Sequence, residues 1–172
     1  KQIENLVNEF SDFARMPKPI LKDNDLIQII KDNINLLQEL DKNIKIELES
    51  NNNTVILNSD NEQLSRVFFN LIKNAVESIH EKNHNKLNFN GKISIAIDDN
   101  HDYILFIITD NGMGFEKLKN NIKDILNPYF TTKEKGTGLG LAIVNKIIND
   151  HKGLITFIHQ DVGAKIEIKF IK

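Results

Sequence analysis

The chain has 172 residues, 40% of them hydrophobic and 27% charged, with a formal net charge of −2. That size and apolar content suit one domain with a real core, and the lack of a basic excess argues against nucleic acid as a partner. Cysteine is absent, which excludes disulfides and thiolate metal sites. No apolar run approaches the roughly 18 residues of a membrane span, and no signal peptide pattern opens the chain, so the segment is expected to sit in the cytoplasm without touching a membrane.

Ile3, Leu6, Val7, Phe10 and Phe13 fall on one stripe, the spacing of a helix that packs on other helices. So short a helix is marginal alone and is expected to continue a longer one upstream. Pro17 and Pro19 stop it. Residues 1–16 are therefore read as a helix end, 17–22 as a linker and 23–172 as one domain.

Within that domain the spacing predicts a helix over 23–40, capped by Asp23 or Asn24, with Leu26, Ile27, Ile30, Ile34, Leu37 and Leu40 on one face. Residues 44–49 alternate as a half-buried strand, Asn51-Asn52-Asn53 turns the chain, and 54–57 returns as a short strand. Ser59-Asp60-Asn61-Glu62 resembles a capping box that opens a helix running to about Ile79. An Asn-rich polar stretch over 81–90 reads as a loop. Strands are expected over 92–98 and 103–109, a short helix within 115–126, a last helix over 139–151 ending near Gly153, and a closing strand pair over 154–159 and 164–171. Short turns join most strands, implying antiparallel pairing. The helices then cover one face of a mixed sheet, giving a two-layer α/β sandwich.

Three stretches carry chemistry. Asn70 and Asn74 are spaced i, i+4 on the helix after the capping box, so their amides share a face. Two carbonyl oxygens there suit a hard cation such as Mg²⁺ when phosphates supply further ligands; a solvated face in an Asn-rich chain would show the same pair. Asp110-Asn111-Gly112-Met113-Gly114 ends an apolar strand. It reads either as a hairpin turn or as a half-buried carboxylate that accepts from an exocyclic amine such as that of adenine, with Gly112 and Gly114 leaving room for a flat base. Gly136-Thr137-Gly138-Leu139-Gly140 opens the last helix, where backbone N–H groups and the helix start favour phosphate. It matches neither the dinucleotide fingerprint nor the P-loop. The loop before it is charged, as a mobile lid would be, and its Lys133 reads as a phosphate contact or as a solvated lysine.

The order of these elements is itself informative. Asn-xxx-Asn, Asp-x-Gly-x-Gly, Phe130-Thr131-Thr132-Lys133 and Gly-Thr-Gly-Leu-Gly follow one another as do the N box, first glycine box, F box and second glycine box. The chain thus resembles the catalytic, ATP-binding domain of bacterial sensor histidine kinases from residue 23 onward. Residues 7–19, Asn74-Ala75-Val76-Glu77-Ser78-Ile79 and Pro128-Tyr129-Phe130-Thr131-Thr132-Lys133 are similar to the nitrogen-regulation NtrY-type subgroup. The resemblance implies a Bergerat-type sandwich preceded by the end of the second dimerisation helix. It implies that Asn70 and Asn74 hold Mg²⁺, that Lys73 lies near the phosphates and that Asp110 accepts from adenine beside Gly112 and Gly114. Thr131, Thr132 and Lys133 would open the lid, and Gly136, Thr137, Gly138, Leu139 and Gly140 would line the phosphates of ATP.

It further implies a phosphoacceptor histidine on an upstream helix, a response regulator as the next recipient and a homodimer in the full-length protein, a membrane-anchored sensor of which this chain is a cytoplasmic portion. None of His80, His84, His101, His151 and His159 stands in the phosphoacceptor context, so all five are expected to be ordinary surface histidines. Gyrase-type and chaperone-type ATPases share the fold but place Glu where this chain has Asn70, and an amide cannot act as a general base. Slow hydrolysis and transfer to a protein histidine follow as the expectation. The alternative is a nucleotide-sensing module without transfer activity. The reduced glycine motif Asp161-Val162-Gly163-Ala164 in the last turn has no assigned role.

Overall fold

The computed structural model describes residues 11, 15–84, 89–115, 122–131 and 137–172. In chain order the elements are β1 (Lys22–Asp25), α1 (Leu26–Leu40), β2 (Ile44–Ser50), β3 (Ile56–Ser59), α2 (Asn61–Asn83), β4 (Gly91–Asp99), β5 (Tyr103–Asp110), a 3-10 turn (Ile122–Leu126), α3 (Gly140–Asp150), β6 (Gly153–His159) and β7 (Ala164–Ile171). Most of the expected dimerisation helix lies outside the described residues. At its end the Arg15 N–H donates to the Ser11 carbonyl at 2.9 Å.

Strict alternation puts Ile93, Ile95 and Ile97 of β4, Ile104, Phe106 and Ile108 of β5, and Ile166, Ile168 and Phe170 of β7 on one face of a five-stranded sheet. Its order is β2-β4-β5-β7-β6. The three helices cover that face with their own apolar stripes, Leu64, Val67, Phe68, Leu71, Ile72 and Ile79 from α2 above all. Phe68 meets Phe106 with ring centroids 5.0 Å apart. Each such side chain removed from water contributes about 1.5–3 kcal/mol, so α2 is anchored over the middle of the sheet. This is the expected two-layer α/β sandwich.

Two details differ from the sequence reading. β3 does not return along β2. It pairs antiparallel with β1 in a separate two-stranded sheet, while β2 runs parallel to β4. The linker and first helix shift accordingly. Residues 22–25 are a strand because Asn24 Nδ2 donates to the Ser59 carbonyl (2.7 Å) and Asn58 Nδ2 to Asp23 Oδ1 (3.0 Å). Asp25, not Asp23 or Asn24, caps α1, its Oδ1 accepting from the N–H groups of Ile27 (3.0 Å) and Val55 (3.1 Å).

Ser59 is the last residue of β3, so the cap of α2 passes to Asp60, which accepts from the Gln63 N–H at 3.0 Å. Its other carboxylate oxygen accepts from the Ile20 N–H at 2.8 Å, and Gln63 Nε2 donates to the Pro17 carbonyl at 3.0 Å. The linker is thereby tied to the start of α2. The helix runs past Ile79 to Asn83, and residues 85–88 of the expected loop lie outside the described residues.

Candidate functional site

β5 delivers Asp110 to the end of the sheet, opposite Ile93 of β4, with only 9% of its surface exposed. Its Oδ1 accepts from the Gly112 N–H at 2.7 Å. Burial pushes the carboxyl up to about 6, while the N–H groups of Gly112 and Ala164 and the Lys82 ammonium pull it down. The group is a carboxylate near neutral pH held in a poorly solvated place, as an acceptor for a specific donor should be.

The glycines around it are explained by crowding. Gly163 has φ 72°, and a Cβ there would lie 1.7 Å from the Asp110 carbonyl oxygen. Gly114 (φ 69°) would place one 2.3 Å from the Gly163 carbonyl oxygen, and Gly112 one 2.4 Å from Ser78 Oγ of α2. Met113 N–H donates to the same Ser78 Oγ at 3.0 Å. Gly112 thus closes the loop onto α2, and Gly114 closes it onto the β6–β7 turn. The close approach of Gly163, unassigned in the sequence, is one of the features that fix Asp110.

Asn111 was also missed. All four of its polar groups are engaged: its N–H donates to the Lys92 carbonyl (3.2 Å) and its Oδ1 accepts from the Lys92 N–H (2.9 Å). Its Nδ2 donates to the Asn90 carbonyl (2.9 Å), and its carbonyl accepts from Lys82 Nζ (2.8 Å). An Asn inside an Asp-x-Gly turn was a signal for such local bonding.

From Ser78 back to Asn70 runs about 12 Å of helix axis. There Asn70 faces the first residue of α3: among the described residues a Cβ on Gly140 would meet only Asn70 Oδ1, at 3.7 Å. Packing against the described residues therefore does not require glycine at 140, in contrast to 112, 114 and 163. Asn74 is half-buried. Lys73 is exposed, its Nζ 3.9 Å from Glu77 Oε1; such a pair holds it only weakly.

The F-box segment meets the second glycine cluster directly. Tyr129 N–H donates to the Gly138 carbonyl at 3.0 Å, and a Cβ on Gly138 (φ 70°) would lie 2.5 Å from the Tyr129 carbonyl carbon. Phe130 N–H donates to the Asn127 carbonyl at 3.2 Å. Leu139 is fully buried and precedes α3 with no side-chain cap, its own N–H reaching Thr137 Oγ1 at 3.4 Å. Backbone donors of a first turn so begun suit an anion. Thr131 is exposed, while Thr132, Lys133 and Gly136 lie outside the described residues.

Among the described residues no group of three or more His, Cys, Asp or Glu could hold a metal. The donor set that fits a hard cation is the pair of amide oxygens of Asn70 and Asn74, and it fits only with further oxygens from a ligand. The histidines do other work. His80 Nε2 pairs with the Asp41 carboxylate at the end of α1. His151, half-buried rather than a surface residue, accepts the Asp60 N–H on Nε2 at 3.0 Å and bonds the Ile147 carbonyl through Nδ1 at 2.8 Å.

A buried acceptor, an amide pair and an uncapped, glycine-led helix around one helix spine suit a nucleotide on an α/β sandwich. The chain belongs to the histidine kinase-, DNA gyrase B-, and HSP90-like ATPase family, whose model matches residues 59–172. Membership carries ATP binding and the Bergerat fold.

The chain is 37% identical over 169 residues to an NtrY-like protein of Rickettsia conorii, covering 98% of this chain and 27% of that protein. It is 36% identical over 151 residues to the nitrogen regulation protein NtrY of Azorhizobium caulinodans, covering 88% and 19%. It therefore spans between about a fifth and about a quarter of these relatives. The nucleotide-free catalytic domain of histidine kinase ThkA matches at 29% identity and a TM-score of 0.75, covering 88% of this chain and 95% of that one. ThkA has also been solved in complex with the response regulator TrrA.

Proposed function

We propose that this chain is the catalytic domain of a sensor histidine kinase, delivering the γ-phosphoryl group of ATP to a histidine on an upstream helix. With Lys22 the first residue of β1, residues 22–172 are read as the nucleotide domain, 17–21 as the linker and 1–16 as the end of the second dimerisation helix. The observation that carries the reading is Gly140 facing Asn70: among the described residues no packing need requires glycine there, and an amide oxygen stands opposite the first N–H groups of α3. Phosphates fit that chemistry. Asp110, at the other end of the α2 spine, accepts from the adenine amine.

In the transfer, a neutral imidazole nitrogen attacks the γ-phosphorus, the β–γ P–O bond breaks, and ADP leaves with the electron pair. Mg²⁺, when bound through Asn70 and Asn74, supplies charge neutralisation to the phosphates. The chain's own part is positioning: Asn70 and Asn74 orient, Gly138, Leu139 and Gly140 line the phosphates with backbone N–H groups beside Thr137, and Lys73 adds a positive charge nearby. Thr131 is assigned to the lid with Thr132 and Lys133, and Gly136 to the phosphate-lining set; the last three lie outside the described residues. Phosphoryl transfer asks for little more than placement and electrostatics. With Asn70 in place of a carboxylate no side chain there activates water.

The full-length protein acts as a homodimer on the cytoplasmic side of a membrane and passes the phosphoryl group to a response regulator, a reading supported by the relatives and by the ThkA–TrrA complex. Among the described residues no helix is long and apolar enough to cross a membrane. Mixing the chain with Mg-ATP and a separate fragment bearing the upstream histidine helix tests the proposal. Acid-labile phosphate on that fragment is expected. ATP binding without any such phosphate would favour a nucleotide sensor instead.

A further inference from the structure

Lys82, in the last turn of α2, donates from Nζ to the Asn111 carbonyl at 2.8 Å. That turn is already fixed without it: Asn111 makes three other bonds, to Lys92 and to Asn90, at the start of β4. What the lysine adds is a positive charge at the carbonyl of the residue after Asp110, which favours the Asp110 carboxylate. We propose that Lys82 is a positioning residue for adenine binding: the Asn111 carbonyl holds its ammonium beside Asp110, where it favours the ionised carboxylate that the adenine amine requires.

The chemistry follows from the surroundings of Asp110. Burial works against its charge, so the carboxyl titrates at about 6, close to working pH, and the Lys82 charge opposes that trend. A protonated carboxyl would turn an O–H toward the amine and lose much of its acceptor strength. Among the described residues, charged groups on the elements around this end of β5 include Glu77, Glu81 and Lys82 on α2, Lys92 on β4, Asp161 in the β6–β7 turn and Lys165 on β7. Lys92 Nζ is engaged by Glu47 at 2.9 Å and Lys165 Nζ by Glu167 at 2.8 Å. Among these, the Lys82 charge is the one that holds the Asp110 carboxyl down, against its burial. Lys82 is exposed, so its effect is modest and screened by salt.

This inference rests on the proposed role of Asp110, and one experiment separates the two. Metal-free adenosine is titrated into the wild-type chain and into Lys82→Met, Lys82→Arg and Asp110→Asn between about pH 5.5 and pH 8. Lys82→Met is expected to weaken binding about twofold near pH 6, as an exposed charge effect of under 1 kcal/mol would, and hardly at all near pH 8. Lys82→Arg should follow the wild type, and about 0.5 M salt should erase the difference. A loss in Lys82→Met that is the same at every pH, or no loss at all, overturns the role of Lys82. If Asp110→Asn binds adenosine like the wild type, the Asp110 reading fails and the lysine role fails with it.

Discussion

Among the described residues a methyl group added to Gly140 would meet Asn70 Oδ1 alone, 3.7 Å away, whereas one added to Gly138 would lie 2.5 Å from the Tyr129 carbonyl carbon. Two glycines of one motif thus answer to different demands. Gly140→Ala removes backbone entropy from the unfolded chain at the first position of α3 and should leave stability unchanged or raise it by about 0.4–1 kcal/mol. It also narrows the gap toward Asn70, so Mg-ATP affinity should fall about tenfold or more, roughly 1.4 kcal/mol. Gly138→Ala should instead lower the melting temperature, because its φ of 70° is strained for alanine and the Tyr129 backbone stands in the way. Thermal melts beside calorimetric titrations check both; a stability loss in Gly140→Ala equal to that in Gly138→Ala contradicts the distinction.

Asp110 makes the empty domain less stable at neutral pH. Its folded carboxyl holds a proton up to about pH 6, above its ordinary value of 3.8. The folded state therefore binds more protons than the unfolded chain between those values. The term it contributes is present below about pH 4 and is lost as pH rises through 6. Asp110→Asn removes the ionisation while keeping an oxygen for the Gly112 N–H. In the absence of nucleotide it should stabilise the domain near pH 7.5 by on the order of 2 kcal/mol, with the gain vanishing near pH 4. The same variant should lose the preference for ATP over GTP. Denaturant titrations at the two pH values and competition binding check the pair of outcomes.

Asn74 shares its helix face with Asn70, and the two would hold a hard cation that neutralises phosphate charge. Asn74→Ala should therefore weaken Mg-ATP binding much more than metal-free adenosine binding. Equal losses for the two ligands would refute the metal role. The side chain is half-buried, so a melt is needed to show that the variant is folded.

Much of this was legible in the sequence, for a physical reason: the site is built from local signals. The apolar period of α2 placed Asn70 and Asn74 on a common face, and the alternation of β5 led to a buried Asp110 at its end. The order of the four boxes then joined them. What was not legible depends on partners distant in the chain. β3 leaves β2 for β1 because Asn24 and Asp23 find Ser59 and Asn58, more than thirty residues on. Three residues near Asp25 had equal capping chemistry, and the Val55 N–H decided among them. Gly163 looked like an ordinary turn glycine until the Asp110 carbonyl was found against it. His151 looked like a surface residue until its ring was found on the Asp60 N–H.

The most direct test is a crystal structure of this chain with Mg²⁺ and a non-hydrolysable ATP analogue. The adenine amine should lie within hydrogen-bond distance of the Asp110 carboxylate, with the phosphates between Asn70, Asn74 and the N–H groups of residues 138–140. A nucleotide seated elsewhere, or one whose phosphates lie away from Gly140 and both asparagines, would contradict the account.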